Sequence, residues 1–156
     1  MTQPRDQQPD SPSKVVRRFL EALEAAEFDE AQSLLDQDVV YTNVSLPTIS
    51  GSEAVMKGFR SALERTEFRV HFHAIGSDDA NSAVVLTDRT DAFVFGPVSV
   101  QFWVYGRFEV LDGKITLWRD SFDWRDVLMG FVRGIVGVGL PFVRRSWPTS
   151  DDLPRQ

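Results

Sequence analysis

The fold is decided by residues 98–124, VSVQFWVYGRFEVLDGKITLWRDSFDW, where two strand-like runs flank the dipeptide Asp112-Gly113. Asp-Gly between two alternating apolar runs is a strong signal for a tight β-hairpin. The two runs extend from Val98 to Val110 and from Ile115 to Trp124, and similar runs precede them at residues 68–75 and 83–95. The second half of the chain therefore predicts consecutive antiparallel strands.

Helical patterns occupy the first half of the chain. A helix is predicted from Pro12 to about Ala26, because its apolar residues recur at the spacing of a one-sided helix. Shorter helices are predicted over residues 29–35 and 51–65, with a strand over residues 39–44 between them. Helices followed by hairpins indicate an α+β fold, in which a curved mixed β-sheet carries the N-terminal helices on one face.

The composition describes one ordinary domain of 156 residues with 42% hydrophobic residues. We expect a disordered lead over residues 1–12, a single domain over 13–150 and a short tail over 151–156. The chain has no cysteine, which excludes disulfides and thiolate metal sites. The formal charge is −6 and no basic cluster is apparent, so nucleic acid is a poor partner. The polar lead has no apolar stretch that would direct secretion, so we expect a cytoplasmic location.

The segment 127–143, VLMGFVRGIVGVGLPFV, is apolar and rich in glycine. Arg133 and Pro141 interrupt it, and it is shorter than the roughly 20 residues that cross a bilayer, so we expect no membrane span. Gly130 and Gly134 form a GxxxG pattern, which is weak evidence outside a long apolar helix. We expect a C-terminal apolar helix or tail that packs over the sheet or a partner subunit. Contact with a membrane surface and a cover over a pocket are the alternatives.

Polar residues stand on strand faces that are otherwise apolar. Side chains alternate between the two faces of a strand, so residues two apart share a face. On this basis one row contains Val85, Thr87, Arg89, Asp91 and Phe93, a second contains Trp118, Asp120, Phe122 and Trp124, and a third contains Val39, Tyr41 and Asn43. Because a buried charge costs several kcal/mol unless it is paired, three such rows in one small domain suggest one shared cavity.

Within such a cavity Arg89 would lie between Asp91 and Asp120, because a guanidinium can bind two carboxylates at once. Unequal surroundings would leave one carboxyl as a base and the other as an acid, which suits general acid–base chemistry. Tyr41 and Asn43 could hold a water molecule together with a carboxylate. The alternative is a purely structural ion pair at the end of the sheet.

Three motifs bear a family resemblance: Tyr41-Thr-Asn43, Asp88-Arg89-Thr-Asp91 and Leu117-Trp-Arg-Asp120-Ser-Phe-Asp123. In order and spacing they resemble the limonene-1,2-epoxide hydrolase family, from about the first helix to Trp124. The resemblance implies the cone-shaped, cystatin-like fold of the nuclear transport factor 2 and ketosteroid isomerase superfamily. It also implies that neither a metal nor a cofactor takes part.

The resemblance implies a catalytic role for each of five residues. Asp120 would be the general base toward a water held by Tyr41 and Asn43, Asp91 would protonate the epoxide oxygen, and Arg89 would bridge the two carboxylates. Parity places Phe93, Trp118 and Phe122 near them as the substrate pocket. The expected substrate is a small molecule, a bulky lipophilic epoxide that is converted to a vicinal diol, and the expected assembly is a homodimer.

Two other classes of function stay open at this stage. One is an isomerase or cyclase for a steroid-like or polyketide substrate in the same fold. The other is a non-catalytic lipid-binding module, which the apolar C-terminal segment could serve.

Overall fold

The structure is a computed structural model that describes residues 10–44, 46–78 and 81–149. Its helices and strands follow in the order α1 (Pro12–Glu24), α2 (Phe28–Ser33), β1 (Leu35–Asn43), β2 (Ile49–Ser50), α3 (Ser52–Leu63), β3 (Glu67–Asp78), β4 (Asn81–Phe95), β5 (Val98–Leu111), β6 (Lys114–Ser121) and α4 (Trp124–Gly139). A single 3₁₀ turn, Pro141–Val143, follows α4.

All six strands form one curved, unclosed sheet in the order β2-β1-β6-β5-β4-β3. Strands β3 to β6 pair antiparallel, whereas β1 pairs parallel with β6. The hairpin between β5 and β6 turns at Asp112 and Gly113, which both have positive φ values of 50° and 76°. Two consecutive positive φ values characterise the tight turn expected for Asp-Gly. The α+β class and the mixed sheet are therefore confirmed.

The final strand is shorter than the sequence pattern predicted. Strand β6 ends at Ser121, so the predicted continuation to Trp124 is wrong. Asp123 ends the extended chain because its Oδ1 accepts a hydrogen bond from the Arg125 amide at 2.8 Å and caps α4. The alternation that placed Phe122 and Trp124 on the face of Asp120 therefore applies only as far as Asp120.

The main core lies between the sheet and the N-terminal helices. Helix α1 buries one apolar side against the sheet, and its Phe19 ring meets the Trp118 indole edge-on at a centroid distance of 4.9 Å. Val55 and Met56 of α3 are equally buried in this core. The helices cover one end of this face of the sheet, and they leave the other end open for the cavity described below.

Helix α4 covers a free strand edge. Strand β5 pairs with β6 only from Tyr105 onward, so its first half has no strand on that side. Asp126 accepts a hydrogen bond from the Trp103 amide at 3.0 Å, and Gly130 and Gly134 lie against the carbonyls farther along the edge. A Cβ atom on Gly130 would lie 2.5 Å from the Gln101 carbonyl oxygen. The GxxxG pattern thus lets a helix backbone approach a strand edge that would otherwise be unprotected.

After α4 the chain crosses to the outer face of the sheet. The Gln101 side chain donates to the Arg145 carbonyl at 3.0 Å, and the Trp147 ring approaches His71. No helix among the described residues is long and apolar enough to cross a membrane. The lead predicted for residues 1–12 and the tail predicted for residues 151–156 lie outside the described residues, apart from residues 10–12.

Candidate active site

A cavity of about 580 Å³ opens on the inner face of the sheet, which is a volume typical of small-molecule sites. Tyr41, Asn43, Asp91 and Asp120 are the wall residues with hydroxyl, amide or carboxyl groups. The other lining residues are apolar or aromatic: Leu46, Phe59, Phe68, Phe93, Phe95, Val100, Phe102, Val104, Trp118, Phe122, Trp124, Val127, Leu128 and Phe131. The cavity is therefore a lipophilic space with one polar corner.

Arg89 lies behind that corner with an exposed fraction of 0%. Its Nε donates to both oxygens of Asp91, at 2.9 and 3.2 Å, and its Nη1 donates to Thr87 Oγ1 at 2.9 Å. Its Nη2 forms an ion pair with Asp120 Oδ2 at 2.7 Å. One guanidinium thus bridges two carboxylates that lie on different strands.

Gly106 makes this bridge possible. It sits between Thr87 and Asp120 in the sheet register, on the strand that separates β4 from β6. A Cβ atom at this position would overlap with Arg89 Nη1 and would lie 2.5 Å from Thr87 Oγ1. The guanidinium therefore occupies the space that the side chain of any residue other than glycine would fill at position 106.

Burial and neighbouring charges shift the pKa values of Asp91 and Arg89. Burial raises the pKa of Asp91 to about 6; Arg89 opposes this shift, and the charge of Asp120 adds to it. Burial also disfavours the charged form of Arg89, but Asp120 and Asp91 outweigh this and hold its pKa above the ordinary value. With Asp91 protonated, the cluster is a neutral Arg89–Asp120 pair. With both carboxylates ionised, it carries an uncompensated buried charge.

Two buried oxygens belong to neighbouring residues of this corner and lack hydrogen-bond partners among the described residues. Register places Asn43 beside Asp120 and Tyr41 beside Trp118, through the parallel pairing of β1 with β6. Asn43 Nδ2 donates to the Tyr41 hydroxyl at 2.8 Å. Among the described residues, Asn43 Oδ1 and Asp120 Oδ1 are buried and have no hydrogen-bond partner. Burial and the charge of Asp120 raise the pKa of Tyr41, so its hydroxyl keeps its proton as a donor.

The structure brings together every residue that the sequence suggested for the site. Tyr41, Asn43, Asp91 and Asp120 line the cavity, and Arg89 joins the two carboxylates from behind. The predicted pocket residues Phe93, Trp118 and Phe122 also line the cavity. Phe122 reaches it from the loop that follows β6, not from the strand.

Sequence reasoning missed two members of the site, Thr87 and Gly106. The sequence pattern places Thr87 on the correct row but assigns it no role, although its hydroxyl accepts a hydrogen bond from the guanidinium. Gly106 is an isolated glycine within a strand, which is a recognised signal for a close approach by another group. That signal could have located it.

Comparison with known proteins identifies the family. The sequence model of the limonene-1,2-epoxide hydrolase catalytic domain matches residues 10–133. The chain belongs to the limonene-1,2-epoxide hydrolase family. It is 45% identical over 129 residues to the epoxide hydrolase EphG of Mycobacterium tuberculosis, spanning 83% of this chain and 85% of that protein. This chain is therefore an epoxide hydrolase, and its substrate is an epoxide.

Solved structures agree with this assignment. An LEH-like epoxide hydrolase from M. tuberculosis superimposes with a TM-score of 0.82 at 42% identity, covering 88% of this chain and 96% of that one. A putative ketosteroid isomerase from Kribbella flavida gives a TM-score of 0.61 at 15% identity, covering 72% of this chain and 78% of that one. The latter similarity shows the shared fold alone. Because the family match and the 45% identical relative both indicate an epoxide hydrolase, the isomerase and lipid-binding alternatives are not favoured.

The space at Gly106 leads to a prediction about how Arg89 is held. Gly106→Ala should displace the guanidinium from Thr87 and Asp120, and we expect at least a tenfold loss of kcat. It should also destabilise the fold by about 1–3 kcal/mol, as overpacking of a core does. The matched control is Gly76→Ala in β3, where a Cβ atom meets nothing within 4 Å. Steady-state kinetics and thermal unfolding measure both effects. Equal activity of the two variants would contradict the prediction.

Proposed function

We propose that the chain hydrolyses its epoxide in one step, with Asp120 as general base and Asp91 as general acid. The observation that carries the proposal is the bridge formed by fully buried Arg89, which holds the two carboxylates at one polar corner of a lipophilic cavity. An acid and a base on either side of a strained ether are the groups that a direct attack by water requires.

The unpaired oxygens beside Asp120 support a site for the attacking water. Water can donate one hydrogen to Asp120 Oδ1 and the other to Asn43 Oδ1, which are both buried acceptors without partners among the described residues. The Tyr41 hydroxyl, which already accepts from Asn43, can donate to the water oxygen. Three hydrogen bonds would then fix the water with its proton directed at Asp120.

The raised pKa of Asp91 supports its role as the acid. Opening of the epoxide breaks a carbon–oxygen bond and leaves an alkoxide, which takes the proton of Asp91. Attack by water forms the new carbon–oxygen bond and gives a proton to Asp120. The reaction thus ends with Asp91 ionised and Asp120 protonated. A proton must then return from Asp120 to Asp91, and Arg89 contacts both groups. No side chain needs to bond to carbon.

A single turnover in oxygen-18 water tests this mechanism directly. With enzyme in excess, the label should appear in the diol, and every protein carboxylate should stay unlabelled, because the oxygen comes from solvent. Asp120→Asn should lose more than about 90% of kcat, a deficit above about 1.4 kcal/mol, since an amide cannot take the proton of water. Asp88→Asn is the matched control, because Asp88 lies on the outer face of the same sheet and its partner there is Trp103.

Labelled oxygen at Asp120 or Asp91, or unlabelled diol in the first turnover, would exclude direct attack by water. A folded Asp120→Asn variant with more than about a tenth of the normal rate would remove the base assignment. Circular dichroism of each variant confirms that the fold is intact.

The pH profile tests the assignment of the acid. A general acid must be protonated, and Asp91 has a pKa of about 6. The protonated fraction of Asp91 therefore falls as pH rises through 6. Above pH 6 the decrease in kcat/KM should approach tenfold for each pH unit. A flat profile between pH 6 and 9 would contradict this role for Asp91.

We also propose that the substrate is a bulky lipophilic epoxide. The walls beyond the polar corner are aliphatic and aromatic, and Phe93, Phe122 and Trp118 stand close to the reacting groups. Each methylene that enters such a site contributes roughly 0.8 kcal/mol, about a fourfold gain in affinity. In a panel of epoxides graded by size, kcat/KM should rise from small water-soluble compounds to terpene- or steroid-sized ones. The opposite trend would reject this substrate class.

A homodimer and a cytoplasmic location stay predictions. The dimer is supported by Leu86 and Tyr105, two large apolar side chains on the outer face of the sheet that are 58% and 57% exposed. Apolar groups so exposed on an open sheet face are typical of subunit contacts.

A further inference from the structure

Asp120 keeps one carboxylate oxygen unpaired beside a buried guanidinium. Its Oδ2 forms the ion pair with Arg89 Nη2, whereas its Oδ1 is buried and has no hydrogen-bond partner among the described residues. An arginine and a carboxylate in contact frequently bind through two parallel N–H···O bonds, which is the stronger arrangement. Arg89 is fully buried, so water does not compete for it. Another contact therefore holds the guanidinium out of the bidentate arrangement with Asp120.

The hydroxyl of Thr87 provides that contact. Thr87 Oγ1 accepts a hydrogen bond from Arg89 Nη1 at 2.9 Å, and Nη1 is the second terminal nitrogen that a bidentate contact with Asp120 would use. The remaining nitrogen, Nε, donates to both oxygens of Asp91. Each of the three nitrogens of the planar guanidinium thus contacts a different residue, which fixes the orientation of the plane.

Thr87 has the properties of a rigid support. It is 3% exposed and stands two residues before Arg89 on β4, so both side chains leave the same face of the strand. Its β-branched side chain has few rotamers. Gly106 lies opposite in the register and leaves room for the hydroxyl. Because a hydroxyl accepts an N–H bond without adding charge, Thr87 can hold the guanidinium and leave the charge of the cluster as it is.

We infer that Thr87 is a positioning residue, which orients Arg89 so that Asp120 Oδ1 stays free for the attacking water. The inference rests on the proposed function, in which Asp120 takes the proton of water. The cavity wall formed by the described residues does not include Thr87, so Thr87 acts on the reaction through Arg89. Without its hydroxyl, Nη1 would be a buried donor lacking a partner. The free oxygen of the carboxylate that Nη2 already contacts is the acceptor that Nη1 would then take.

The same reorientation predicts a change at Asp91. A guanidinium that binds Asp120 through both terminal nitrogens moves toward Asp120 and away from Asp91. The charge of Arg89 opposes the rise that burial causes in the pKa of Asp91, so withdrawal of that charge should raise this pKa further. Loss of the Thr87 hydroxyl should therefore occupy the oxygen of the base and move the titration of the acid to higher pH.

Thr87→Val tests the inference, because valine keeps the shape of threonine and lacks its hydroxyl. The variant should lose at least about tenfold in kcat with KM nearly unchanged, since a misplaced catalytic group slows the reaction while the cavity wall is intact. The carbon-13 carboxyl signal of Asp91, identified by its absence from Asp91→Asn, should titrate at higher pH than in the unchanged protein. Thr87→Ser keeps the hydroxyl and should restore most of kcat and the original titration.

Thr90→Val is the matched control. Thr90 lies on the outer face of the same strand, where its hydroxyl contacts His73. Its replacement should change neither kcat nor the titration of Asp91. Thr87→Ala is a second variant without the hydroxyl and serves if Thr87→Val does not fold. It should show the same loss of kcat and the same shift of the Asp91 titration.

Three results would overturn the inference. The first is a normal kcat in a folded variant that lacks the Thr87 hydroxyl. The second is an unchanged or lowered pKa of Asp91 in that variant. The third is a Thr87→Ser variant as slow as Thr87→Val, since the shape of the side chain and not its hydroxyl would then matter. The NMR titration reports the orientation of Arg89 without turnover, so it would still shift if Asp120→Asn showed that Asp120 is not the base.

Discussion

The buried guanidinium of Arg89 is the constraint on which the rest of the site depends. A positive charge without exposure to solvent must be matched by negative charge within contact distance, or the fold would lose several kcal/mol. The sheet supplies two carboxylates, one more than neutrality requires. Burial and the charge of Asp120 raise the pKa of Asp91, and the surplus is removed when Asp91 binds a proton. The same charge balance underlies the proposed assignment of Asp91 as the acid and Asp120 as the base.

Three features of the sheet position this cluster. The parallel pairing of β1 with β6 brings Asn43 beside Asp120, although 77 positions separate them in the chain. The absence of a side chain at Gly106 gives the guanidinium a path from β4 to β6 across β5. The helices cover one end of the inner face and leave the remainder as a cavity. A structural ion pair alone would require no cavity, and here both carboxylates line one.

Helix α4 links the active site to the exterior. Its glycines allow it to protect the free edge of β5, which leaves its large side chains to line the cavity mouth and to face outward. In most surface helices of globular proteins, the large apolar side chains pack toward the core. Because Gly130 and Gly134 bring the helix backbone against the edge of β5, the large apolar side chains of α4 lie on its other sides.

Local patterns in the sequence determined the class of fold, the Asp112-Gly113 hairpin and the polar rows, because a turn and the alternation of a strand depend on neighbouring residues. They also indicated the family, through motifs that are short and contiguous. The end of β6, the role of Gly106 and the orientation of α4 were decided by the tertiary structure. Each depends on residues distant in sequence: the cap at Asp123 competes with strand pairing, Gly106 matters only because Arg89 crosses it, and α4 faces outward only because β5 lacks a neighbour there.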